Sequence, residues 1–138
     1  MRGILGQLIE QANQFTIIDM EASVEHMSRG TVRHVDTVLI VLEPYYRSLE
    51  TAGRMAPLAR GLGIQRVYGV ANKLRSAADE AAVADYCAKH DIELVVRIPF
   101  DEAIVEADRA GKALIDHHPD SPAMLAIREL AARLIQAT

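Results

Sequence analysis

The sequence predicts an α/β fold, a parallel sheet covered by helices on both faces, and three observations carry that prediction. Short, solid, β-branched or aromatic runs recur along the chain, at 15–18 (Phe-Thr-Ile-Ile), 37–42 (Thr-Val-Leu-Ile-Val-Leu), 66–71 (Arg-Val-Tyr-Gly-Val-Ala) and 93–98 (Glu-Leu-Val-Val-Arg-Ile). Between them, apolar residues step by three and four, as on one face of a helix. Each run stops at a polar or turn-forming residue: Asp19, Glu43-Pro44, Asn72-Lys73 and Pro99. Strands that alternate with crossover helices form a parallel sheet, and strands buried on both faces read as unbroken apolar runs. With 138 residues, 50% hydrophobic and 25% charged, the chain has ordinary globular composition and is about one domain long. No linker, repeat or low-complexity stretch divides 1–138.

The elements follow in order. Residues 3–13 have helical spacing, with apolar side chains at 4, 5, 8, 9 and 12. The run 15–18 predicts a buried strand ending at Asp19, followed by a turn and a short helix closing near Gly30. The strand at 37–42 is stopped by Pro44. Leu49, Ala52, Met55, Ala56, Ala59 and Leu62 mark a helix ending at Gly63. Pro57 lies inside it and cannot donate to the carbonyl of Gly53, which predicts a kink there. After the strand at 66–71, Ser76-Ala77-Ala78-Asp79 has the form of a capping box. The helix it opens carries Ala82, Val83, Tyr86 and Cys87 on one face. The strand at 93–98 is stopped by Pro99, and Asp101 can cap a helix running to Gly111. Residues 111–120 read as loop. Ser121-Pro122 is a cap followed by proline at the first helical position, and the last helix presents Leu125, Leu130, Leu134 and Ile135.

Composition excludes several functions. A net charge of −4, no Trp and two Phe argue against a nucleic-acid surface, which needs a basic face or stacking aromatics. The single cysteine, Cys87, excludes an internal disulfide and a cysteine-rich zinc site, and fits a reducing cytoplasm. The longest strongly apolar run, 38–42, is far short of the ~20 residues that span a membrane.

Function in a parallel sheet sits outside the carboxyl ends of its strands. Asp19 ends the first run, where nucleotide-hydrolysing α/β proteins place a magnesium-holding carboxylate; the alternative is a capping aspartate. Asn72 offers a donor and an acceptor that can read a purine edge, and the stem of Lys73 can lie along a base; the alternative is a turn. Glu21, Glu25 and His26 carry no diagnostic metal spacing and read as a solvated turn, and His117-His118 as an exposed loop pair. His34 and His90 sit near element ends. Cys87 falls on an apolar helix face and reads as core. No G-x-x-x-x-G-K-[ST] loop and no G-x-G-x-x-G fingerprint occurs; Gly61-Leu62-Gly63 lies at a helix end.

The stretch Asp19-Met20-Glu21-Ala22-Ser23-Val24-Glu25-His26-Met27-Ser28-Arg29-Gly30-Thr31 resembles the Walker-B and switch segment of the carbon monoxide dehydrogenase maturation ATPases, which assist nickel insertion. These are part of the deviant-Walker-A group that includes the MinD and ParA ATPases. Ser23 stands where that family has glycine, whose bare backbone lets an amide approach a phosphate. The resemblance continues through Val41-Leu42-Glu43-Pro44, Ser48-Leu49-Glu50-Thr51-Ala52, Val70-Ala71-Asn72-Lys73, Ile98-Pro99-Phe100-Asp101-Glu102 and Glu106-Ala107-Asp108-Arg109-Ala110-Gly111.

The resemblance implies a three-layer P-loop NTPase-like sheet of about four strands, as a single partial domain, 1–138, without the phosphate-loop part. It implies ATP or ADP with magnesium as ligands. Asp19 would be the magnesium and water-positioning carboxylate, Asn72 with Lys73 would meet the adenine, and the backbone around Pro99 and Phe100 would line the base pocket. The family's phosphate loop and Cys-x-Cys pair precede the matching stretch. The expectation is therefore a nucleotide-binding half-domain, inactive by itself, that works as a homodimer or with a P-loop-bearing half supplied in trans, on a metalloenzyme client. The alternative is a non-catalytic protein-interaction module of the same descent. Without the strand that leads into the phosphate loop, the strand at 15–18 is expected to pair directly with 37–42, closing a four-stranded sheet that dimerises.

Overall fold

A computed structural model describes residues 15–21 and 34–137. The predicted helix at 3–13, the turn and helix closing at Gly30, and Glu25 and His26 lie outside the described residues. Three strands form one sheet, β1 (Thr37–Leu42), β2 (Arg66–Leu74) and β3 (Glu93–Pro99), in the order β1-β2-β3. Both pairings are parallel. The connections are helices: α1 (Tyr46–Gly61) between β1 and β2, and α2 (Ala77–Lys89) between β2 and β3. After β3 come α3 (Glu102–Arg109), the single-turn α4 (Leu114–His117) and α5 (Pro122–Gln136).

The side-chain period of two divides β1 and β2 between two cores. On one face, Ile40 and Leu42 of β1 and Val67 and Ala71 of β2 meet Ala52, Ala56 and Ala59 of α1 and Val83 and Cys87 of α2. The alanines let α1 lie close to the sheet. On the other face, Val70, Val95, Val96 and Ile98 meet Ala123 and Ala126 of α5. Val95 and Val96 share this face because the β2–β3 register shifts between Gly69 and Val70, leaving Val95 as the extra residue.

Three helices end in a Schellman turn. Gly63 (φ +88°), Asp91 (φ +54°) and Gly111 (φ +62°) supply the left-handed residue. The next amide returns to the carbonyl five residues back in each case: Ile64 to Ala59 (3.2 Å), Ile92 to Cys87 (2.9 Å) and Lys112 to Ala107 (2.9 Å). The N-termini follow the expected caps. Ser76 accepts from Asp79 N–H, and Ser121 from Met124 N–H, with Pro122 opening α5. Helix α1 continues through Pro57 without interruption.

Several expectations are corrected. Residues 15–18 form no strand; Phe15 and Ile17 are 61% and 92% exposed, and Met20 is the residue of this segment that packs on the first core. The closed four-stranded sheet is therefore not formed, and among the described residues the outer edge of β1 is unpaired. A strand exists by pairing, and a four-residue apolar run carries no information about whether a partner edge receives it. Coverage is also uneven. Helix α5 packs over β3, so Val41, on the same face of β1, is 57% exposed. The segment at 111–120 contains α4, and His117 and His118 are half-buried, with His118 Nε2 2.9 Å from Glu106 Oε2. On α5 the buried residues are Ala123, Met124 and Ala126, while Leu125 and Ile135 are exposed. Ala123 and Ala126 face the second core, and Leu130 packs against it as well.

Candidate functional site

Leu42 and Ala71 are in register, so the residues just beyond them, Glu43 on one side and Asn72-Lys73 on the other, come side by side at the carboxyl edge of the sheet. There β2 departs from regular geometry. Ala71 pairs with Arg97 and Leu74 with Pro99, so Asn72 and Lys73 together oppose Ile98 alone. Lys73 takes a left-handed backbone, φ +57°, which an L-residue adopts at a cost. Its N–H donates to Asn72 Oδ1 at 3.0 Å. The strand thus runs three residues past the predicted stop at Ala71, through a bulge.

Glu43 is the hub of this edge. Its Oε1 lies 2.8 Å from Lys73 Nζ, and its Oε2 accepts from Tyr45 Oη at 2.5 Å. Its own N–H donates to Ser48 Oγ at 2.8 Å, in the first turn of α1. The Lys73 ammonium, helped by the Tyr45 hydroxyl, holds the Glu43 carboxyl below the usual range. The reciprocal effects push Lys73 and Tyr45 up. All three groups keep their ordinary neutral-pH forms.

The third loop joins through backbone. Phe100 N–H donates to Leu74 O at 2.8 Å, tying the Pro99-Phe100 turn to the end of β2. The Arg75 guanidinium lies 3.6 Å over the Phe100 ring, a cation–π contact. A shallow groove of about 310 Å³ opens beside it, lined by Leu74, Arg75, Ser76, Glu80, Arg97 and Pro99. Behind it, Asp101 caps two helices, accepting from Ala103 N–H (2.9 Å) and from Ala123 N–H (3.0 Å). These amide bonds, Ala123's foremost, hold its carboxyl below the ordinary value.

The structure therefore brings Asn72, Lys73, Pro99 and Phe100 to one edge. Asp19 is exposed and outside any strand, and among the described residues it shares no hydrogen bond or ion pair with that edge. The adenine edge that carries N7 and the 6-amino group needs one donor and one acceptor. The Asn72 amide nitrogen has no partner among the described residues, and Oδ1 uses one of its two lone pairs. A purine fits that donor set. Both Glu43 oxygens are taken, and among the described residues no three His, Cys, Asp or Glu side chains converge. Glu43, Tyr45 and Arg75 were not singled out as site residues from the sequence. The signal for Glu43 was its place at the end of a strand adjacent to that of Lys73, which is visible only once strand order is known. No helix among the described residues is long and apolar enough to cross a membrane.

No family model matches the chain. Over 119 residues it is 42% identical to the carbon monoxide dehydrogenase accessory protein CooC of Rhodospirillum rubrum, covering 86% of this chain and 44% of that protein. Over 114 residues it is 36% identical to an uncharacterized ATP-binding protein of Methanocaldococcus jannaschii, covering 83% of this chain and 44% of that one. The chain thus spans less than half the length of these two curated relatives. The septum site-determining protein MinD of Pyrococcus horikoshii, solved with Mg-ADP, superposes with a TM-score of 0.74 over 94% of this chain and 55% of its own, at 21% identity, which speaks for the fold. The chain is thus similar in sequence to CooC over less than half of that protein's length, and it shares the fold of MinD.

Proposed function

We propose that this chain is the base-binding part of a CooC-like ATPase, taking an adenine nucleotide at the carboxyl ends of β2 and β3. The observation that carries the reading is the Phe100 N–H to Leu74 O bond of 2.8 Å, which holds the Pro99-Phe100 turn beside the bulge that carries Asn72. Asn72 reads the purine edge, the stem of Lys73 flanks it, and the backbone at Pro99 and Phe100 lines the pocket. Asp19 would be the carboxylate to hold magnesium and position a water beside phosphates that a phosphate loop supplies.

Phosphoryl transfer depends on backbone amides and a lysine that cradle the phosphates, and the 138 residues contain no glycine-rich lysine loop. By itself the chain binds the base and does not turn over ATP. A P-loop-bearing half completes the domain; the β1 edge, unpaired among the described residues, and the exposed Phe15, Ile17 and Val41 favour such a protein partner. The same exposed apolar residues favour the second reading, a non-catalytic interaction module. The client of the assembled protein is a metalloenzyme in the cytoplasm.

The test is calorimetric titration of the chain with adenosine, ADP and Mg-ATP, alongside phosphate release. Weak, nearly equal affinity for all three, without phosphate release, is expected. Adding the glycine-loop half of a CooC-like relative should raise the ATP affinity and start turnover that Asp19→Ala abolishes. Magnesium-dependent turnover by the chain alone, or affinity that climbs from adenosine to ATP, would refute the half-domain reading. No binding of any of the three leaves the interaction module standing in its place.

A further inference from the structure

We propose that Glu43 is a positioning residue for the base site: its carboxylate grips Lys73 and so holds the Asn72–Lys73 bulge in the form that leaves the amide nitrogen of Asn72 free for a purine. The inference rests on the base-binding reading above and adds to it a residue that would touch no ligand.

Three independent features carry it. First, Lys73 is left-handed at φ +57°, a conformation that local sterics disfavour and that persists only where the surroundings hold it. Second, the group that reaches Lys73 is Glu43, at 2.8 Å, and Glu43 is itself fixed from two sides. Tyr45 Oη donates to its other oxygen, and its backbone N–H is anchored on Ser48 Oγ of α1. The ion pair therefore ties the bulge to the start of a helix rather than to a loose side chain. Third, the left-handed turn aims the Lys73 N–H at Asn72 Oδ1, 3.0 Å away. That bond selects one orientation of the Asn72 amide, in which the oxygen faces the backbone and the nitrogen is left unpartnered among the described residues. Glu43 also keeps the Lys73 ammonium occupied, so Lys73 acts here through backbone shape rather than as a free cation.

Glycine tests the backbone part of this role, because it adopts positive φ without a side chain to hold it. In Lys73→Gly the bulge needs no ion pair; in Lys73→Met the strain stays and the ion pair is lost. Two measurements on the full 138-residue chain then decide. By NMR without ligand, residue 73 of the native chain should give the strong intraresidue Hα–HN Overhauser effect that a positive φ produces. Glu43→Gln and Lys73→Met should lose it, Lys73→Gly should keep the bulge's amide shifts at Asn72, and all should melt near the native temperature. By calorimetry, Glu43→Gln and Lys73→Met, which both keep an aliphatic stem at position 73, should each weaken adenosine binding about tenfold. An unchanged Overhauser effect in Glu43→Gln overturns the proposal. So does an affinity loss in Lys73→Met far larger than in Glu43→Gln, which would make the ammonium a direct ligand. If the native chain binds no adenosine, the base-binding reading fails, and the NMR arm still decides whether Glu43 holds the bulge.

Discussion

The carboxylate of Asp101 accepts the amide of Ala123 at 3.0 Å across 22 residues of sequence, while its other oxygen accepts Ala103 N–H at 2.9 Å. One side chain at the end of β3 thereby caps α3 and joins the first turn of α5 to it. An N-cap is worth about 1 kcal/mol, so Asp101→Ala should cost about 2 kcal/mol by chemical denaturation, more than an ordinary single cap. Asp101→Asn keeps one acceptor oxygen and should cost about half as much. Because folding depresses this carboxyl's pKa, its contribution is full above the ordinary aspartate value of about 3.9 and fades as pH falls through the lower folded value. The native chain should lose its advantage over Asp101→Asn in that acid window. Equal stability of native and Asp101→Ala at pH 7 would overturn the double cap.

At the end of α2 the left-handed position of the Schellman turn is held by Asp91, where the other two such turns use Gly63 and Gly111. Asp91 is almost fully exposed, and its carboxylate stands 3.9 Å from Arg60, a separation that contributes little at a surface. Asp91→Gly should therefore stabilise the chain by about 0.5–1 kcal/mol, the relief of positive φ less the added freedom of the unfolded chain. A melting temperature that falls would contradict this.

Gly69 sits where β2 passes under α2. A Cβ there would come 3.0 Å from Ile92 Cγ2 and 3.3 Å from Leu42 Cδ1, and Leu42 is fully buried. Gly69→Ala should cost about 1–3 kcal/mol through overpacking. Combined with Ile92→Ala it should lose less than the sum of the two single changes, since the second removes the first's closest contact. Strict additivity in that cycle would mean that the strain lies elsewhere.

Cys87 is buried against the first core, and burial pushes its thiol above the usual pKa. The nucleophile in disulfide exchange is the thiolate. At pH 8 the native thiol should react with an aromatic disulfide reagent at least about tenfold more slowly than in denaturant. Rapid stoichiometric labelling of the native chain would refute the core assignment.

The sequence by itself determined what depends on neighbours along the chain. Ser76, Asp101 and Ser121 cap because each is followed by amides that a helix start leaves unpaired. Gly63 and Gly111 end helices because positive φ suits glycine, and 37–42 is a strand through its β-branched run. Cys87 was legible as core from helical period alone, and Pro99 as the end of a strand because it has no amide to donate. Tertiary structure decided what depends on which element meets which. Phe15 to Ile18 has the composition of a strand and lacks one, because pairing requires an edge to receive it and composition is silent on edges. Leu125 is exposed while Ala123 and Ala126 are buried and Leu130 packs beside them, because the way α5 is turned on the sheet, not hydrophobicity, selects the face. Asp101 reaching Ala123, and Glu43 reaching Lys73, each join side chains from separate elements. Such contacts are set by strand order, register and the bulge at Asn72-Lys73, which spacing in one dimension does not encode.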